Sequence, residues 1–148
     1  MGTPAIARIL DEDGDTIVCV FAQCDGYPES FGDEVVSWIS GRKITNGISR
    51  DGELASNGLT EMAAHLVRKL KRASPHGHIY LVPAKQKRVW EYRYTISPNK
   101  LSGSRFSGWG DDLQIKVEEW VVTGRHKTLY DGKIAGYEHF LKTLKEGA

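Results

Sequence analysis

The sequence predicts an α+β fold: one domain, residues 1–148, with a mainly antiparallel, meandering sheet of about five or six strands covered by about three helices. Three observations carry this. Two β-rich runs, 5–10 and 16–23, flank an acidic loop containing Gly14, which signals a hairpin. Residues 113–118 alternate apolar and polar with period two, as a half-buried strand does. Leu59, Met62, Ala63, Leu66, Val67 and Leu70 recur at i, i+3, i+4 and i+7, which writes one face of a helix.

In chain order, the first two strands lead into Gln23–Glu34. Asp25-Gly26 reads as a turn in which Gly26 supplies positive φ. Tyr27 precedes a proline and is pushed to extended backbone, and Pro28 fixes φ. Ser30 or Asp33 caps a helix over 31–40, with Val35, Val36 and Ile39 inward, Trp38 at the edge and Gly41 ending it. The corner presents Asp25, Tyr27 and Glu29 as candidate binding residues. The plainer alternative has Tyr27 packed under the corner and Asp25 bonding the turn's own backbone.

Residues 42–58 read as a long loop with turn signals at Asn46-Gly47, Asp51-Gly52 and Asn57-Gly58. The second helix follows and ends at Ser74-Pro75-His76-Gly77. His65 lies off its apolar stripe, and its outer face and last turn carry Arg68, Lys69, Lys71 and Arg72. Such a charge run is ordinarily a solvated helix end, and its alternative is contact with nucleic acid. Strands at 78–82 and 87–96 form a hairpin across Ala84-Lys85-Gln86. The second places Trp90, Tyr92, Tyr94 and Ile96 on one face, as core rather than as a base-stacking platform. Residues 97–110 form a second loop whose Arg105, Phe106 and Trp109 are further candidate binding residues. Leu113, Ile115 and Val117 then face inward, and Gln114, Lys116 and Glu118 outward. Residues 120–123 extend or follow this strand. A short strand at 128–130 precedes an Asp131-Gly132 turn. The last helix runs over 134–145 with Tyr137, Phe140, Leu141 and Leu144 on one face.

The net charge of +1 argues against a general polyanion binder. Cys19 and Cys24 are poorly placed for a bridge. With no signal peptide legible, the expected location is a reducing cytoplasm. No apolar run reaches the length of a membrane span, and Ile6 stands where N-myristoylation wants Ser or Thr. Known signatures are absent: no zinc-ligand cluster, no phosphate-binding or dinucleotide glycine loop, no nucleophile elbow. The acidic loop at 11–15 has the wrong spacing for a calcium loop. No metal, cofactor or catalytic residue is therefore assigned. The enzymatic alternative is a small enzyme acting on a nucleotide or nucleic acid through Asp25, Glu29 and His65.

Asp25-Gly26-Tyr27-Pro28, in a chain opening Met1-Gly2-Thr3, resembles a family of small proteins from tailed bacteriophages and prophage-bearing bacteria. The likeness continues through Asn46-Gly47-Ile48, Asn57-Gly58, residues 63–67, residues 79–83 and residues 91–95, so it spans roughly residues 1 to 120. The family has Arg where this chain has Pro4, an aromatic where it has Cys24, and often His where it has Phe31. No role for those side chains carries over. The resemblance implies a phage setting without an established activity. The leading expectation is a phage-type binding protein in the host bacterial cytoplasm. It docks on a bacterial host protein, such as a defence-system component, and inhibits or redirects it. The alternatives are the small enzyme and a nucleic-acid binder using Arg68 to Arg72.

Overall fold

The computed structural model describes residues 2–47, 55–74, 77–98, 105–122 and 124–147. Strands β1 (Ala5–Leu10) and β2 (Thr16–Ala22) form the expected hairpin. Asp11 Oδ1 holds its turn by accepting from the N–H groups of Asp13 and Asp15, with Gly14 at φ +84°. A π-helical turn (Pro28–Gly32) runs into α1 (Asp33–Ile39). After α1 come β3 (Lys43–Thr45), β4 (Ala55–Asn57), α2 (Gly58–Ala73), β5 (Ile79–Leu81), β6 (Tyr92–Ser97) and β7 (Gly108–Trp109). The chain closes with β8 (Gln114–Val122), β9 (Arg125–Lys133) and α3 (Tyr137–Glu146).

The α+β class stands, but the sheet is mixed rather than a meander. Its order is β5-β2-β1-β6-β8-β9, with β1 and β6 parallel. The expected hairpin at 78–96 does not form: β5 pairs with β2, and β6 lies between β1 and β8. Alternation tells which side chains share a face, not which strand lies alongside. Tyr94 and Ile96 are both 0% exposed, in a strand covered on either side by β1 and β8. Trp90 is also corrected. It lies before β6 begins and packs on the opposite face, against Ile6, Cys19 and Phe21, while Tyr94 and Ile96 join the main core. The turn expected at Asp131-Gly132 is part of the nine-residue β9. There a Cβ at Gly132 would lie 2.7 Å from the Tyr130 hydroxyl, so the glycine makes room for that ring.

Within the stretches read as long loops, β4, β3 and β7 form a second, three-stranded sheet. Strands of two or three residues are too short to show a period. The Asp51-Gly52 turn and the Pro75-His76 helix break lie outside the described residues. The main core collects Val35, Val36 and Ile39 of α1, Leu59, Met62, Ala63, Leu66 and Leu70 of α2, and Tyr137 and Phe140 of α3, against Ala7, Ile9, Ile115 and Val117 of the sheet.

Candidate functional site

The corner after β2 is held by backbone and by two buried phenols. Gly26 N–H donates to Thr3 O at 2.8 Å, and Phe31 N–H donates to Asp25 O at 3.2 Å. The positive φ sits at Asp25 (+57°), not at Gly26. Gly26 is required for space: a Cβ there would lie 2.6 Å from Thr3 O. The expected side-chain caps are absent. Neither Ser30 nor Asp33 caps a helix, because the chain already turns helically at Pro28, where Ser30 N–H and Gly32 N–H both donate to Tyr27 O. Tyr94 Oη donates to Gly26 O at 2.6 Å and Tyr137 Oη to Pro28 O at 2.7 Å. Burial, the largest cause in each case, pushes both phenols far above the ordinary range, with Tyr137 the next contributor for Tyr94 and Asp33 the next for Tyr137.

On this frame Asp25, Tyr27 and Glu29 face solvent. Tyr27 does not pack under the corner; it is 41% exposed, with its ring 6.0 Å from that of Tyr92. Among the described residues the Asp25 carboxylate accepts no hydrogen bond. Tyr92 sits opposite Glu119 in the β6–β8 register. Its phenol is pushed up to about 12, by burial first and then by the charges of Glu119, Glu29 and Glu91. Glu119 is the cross-strand neighbour of Tyr92, and Glu29 and Glu91 lie near enough for their charge to be felt. Trp120 is on the other sheet face, its ring 5.9 Å from that of Trp90, and only its backbone N–H, donating to Glu91 O at 2.8 Å, ties it to this end of the sheet. The result is an acidic, aromatic surface at the β1 N-terminal end of the sheet, built from the corner and from Glu91, Tyr92 and Glu119. Sequence reading missed these last three. They stand more than 60 positions from the corner, and Tyr92 carried only a core signal. The raised phenol sets a pH limit. A group whose folded pKa exceeds its unfolded value of about 10 stabilises below that value and loses the contribution as pH rises. Stability should therefore fall between about pH 10 and 12, together with the appearance of phenolate absorbance at 295 nm.

No family model, curated protein or solved structure matches the chain.

The remaining candidates fall elsewhere. Phe106 N–H donates to Glu12 Oε2 at 2.6 Å, at the hairpin turn beyond the other end of β1. Phe106 is half-buried against the core, Arg105 is exposed with its guanidinium beside Gly58, and Trp109 is 51% exposed in β7. The six candidate binding residues thus divide between opposite ends of the sheet, roughly 20 Å apart by the length of a six-residue strand. His65 lies 3.7 Å from Glu61 on its own helix, and among the described residues no hydrogen bond or ion pair joins it to Asp25 or Glu29. Of the basic cluster, Lys71 Nζ donates to Ile79 O, tying α2 to β5. Arg68, Lys69 and Arg72 line a depression of about 50 Å³ with Trp38 and His65. A larger groove of about 760 Å³ runs between α1 and α3, past Val36, Ser40, Asp111, Ile134, Leu141 and Lys142. None of the candidate residues lines it. Among the described residues no three His, Cys, Asp or Glu side chains group as metal ligands, and no helix is long and apolar enough to cross a membrane.

The sheet face opposite the helices carries an ion cluster built around one buried carboxylate. Glu118, expected to face solvent, is 1% exposed. Arg93 Nε and Nη2 donate to its two oxygens at 3.0 and 3.1 Å, and His126 Nε2 lies 2.7 Å from Oε2. Arg8 Nε donates to Thr95 Oγ1 beside them, and burial and the charge of Arg93 lower its pKa. Trp90 packs over Arg93, with the guanidinium 4.7 Å from the ring centre. The cluster joins three strands.

Proposed function

We propose that this chain is a phage-type binding protein that docks on a bacterial host protein and inhibits or redirects it, acting in the host cytoplasm. The observation that supports the reading is the acidic, aromatic patch of Asp25, Tyr27, Glu29, Glu91, Tyr92 and Glu119. Exposed aromatics among like charges are a poor solution for a surface that meets only water. They suit a partner that brings cations to the carboxylates and buries the rings. The phage setting rests on the motif resemblance alone. The partner's surface is expected to be basic, and a defence-system component is the class proposed.

Affinity capture from a bacterial lysate with mass spectrometry identifies the partner, and two variants then test the patch. Glu29→Ala removes an exposed carboxylate that makes no hydrogen bond among the described residues, so it should leave the melting temperature unchanged and weaken capture. Asp25→Ala should lower both, because alanine tolerates φ +57° worse than aspartate by about 1 kcal/mol. If Glu29→Ala captures like the parent, the patch is not the docking surface, and Arg105, Phe106 and Trp109 are the next residues to change.

A second reading is a nucleic-acid binder, supported by Arg68, Lys69 and Arg72 lying together beside Trp38. Binding of that kind falls steeply with salt through counterion release. Little retardation of single- or double-stranded fragments is expected in a gel shift at near-physiological salt. Tight, salt-sensitive retardation would reverse the order of the two readings.

A further inference from the structure

Cys24 does not stand alone. Its sulfur lies 3.2 Å from Nδ1 of His78, and its backbone N–H donates to the same nitrogen at 3.3 Å. The pairing is held from outside the two side chains: Gln23 N–H donates to His78 O at 2.9 Å, and β5 pairs with β2 from the next residue onward. The backbone N–H can donate only if the ring hydrogen is on Nε2, and the single Nδ1 lone pair is then shared between that N–H and the thiol. In that tautomer the imidazole is a base aimed at the thiol. Cys24 is half-exposed, whereas Cys19 is buried, burial pushes its thiol up, and no imidazole contacts it among the described residues. One chain thus holds a base-paired thiol and an inert one.

We propose that Cys24 and His78 form a reactive thiol–base pair, a site of modification by small-molecule disulfides. His78 Nδ1 takes the Cys24 proton, and the thiolate attacks one sulfur of the disulfide RS–SR. The Cys24–S–S–R bond forms and the original S–S bond breaks. The proton on His78 passes to the leaving RS⁻, or to solvent where the released thiolate stays ionised. Cys24 is oxidised to a mixed disulfide, the small disulfide is reduced to one thiol, and the imidazole is left as it began. The added group would sit beside Asp25. The pair is chemically independent of the docking patch, so its test does not depend on finding a partner.

The probe is an aromatic disulfide that releases a coloured thiolate, applied to the native full chain at neutral pH. Each rate is normalised to a free thiol in the same solvent. One fast equivalent is expected. It should be absent in Cys24→Ser, and Cys19 should react only on unfolding. His78→Asn should slow Cys24 about tenfold, since it removes the base and asparagine tolerates the φ of +82° at that position. A thermal melt establishes that this variant folds. If it does not fold, the parent still decides: native Cys24 must react several-fold faster than the same thiol in the urea-unfolded chain. Equal or slower native reaction, or a folded His78→Asn variant that reacts like the parent, overturns the proposal.

Discussion

Replacing Arg93 by alanine is expected to destabilise the protein by about 3–5 kcal/mol, the usual range for breaking a buried ion pair by removing one partner. Glu118 is 1% exposed, and both of its oxygens are held by the Arg93 guanidinium. Without it the carboxylate stays enclosed by Trp90 and the neighbouring strands, with His126 as its only remaining ion-pair partner among the described residues. Arg93→Lys should fall between, since an ammonium cannot make the two-pronged contact. Replacing both partners, as Arg93→Met with Glu118→Leu, removes the uncompensated charge and should recover most of the loss. Urea denaturation of the four proteins checks this. A loss below about 1 kcal/mol for Arg93→Ala would mean that water reaches Glu118 and that the cluster is not closed.

Leu66→Ala is expected to cost about 2–5 kcal/mol, from lost transfer energy and the cavity left behind. Leu66 is 1% exposed, midway along α2, packed in the main core with Met62, Ala63 and Leu70. The core also receives α1 and the sheet, so it has little freedom to collapse onto the gap. The midpoint of chemical denaturation is the measurement, and a change under about half a kcal/mol would mean that the α2 stripe is not buried.

These two residues differ in how far they could be read in advance. The inward face of α2 follows from a 3.6-residue period carried through Leu70, and the burial agrees at Leu59, Met62, Ala63, Leu66 and Leu70. Leu113, Ile115 and Val117, read inward from a two-residue period, are each 0% exposed. Glu118 follows the same alternation, and alternation places it correctly on the opposite face. Whether that face is open or closed depends on Arg93, His126 and Trp90, which arrive from other strands. The corner was legible to the same degree. Residue types identified Asp25, Tyr27 and Glu29 as a turn presenting side chains. They did not show that Glu91, Tyr92 and Glu119 complete the surface, nor that the strained φ belongs to Asp25.

By itself the sequence determined the α+β class, the β1–β2 hairpin, the three helices and their apolar faces, because each rests on contacts within a turn or two of the chain. Only the tertiary structure decided that β6 lies between β1 and β8, that Trp90 crosses to the far face, and that Cys24 meets His78. The physical reason is that strand pairing and burial are settled by competition among distant segments for one core. A local period says how a segment will present itself, while the segment that covers it is chosen by the packing of the whole chain.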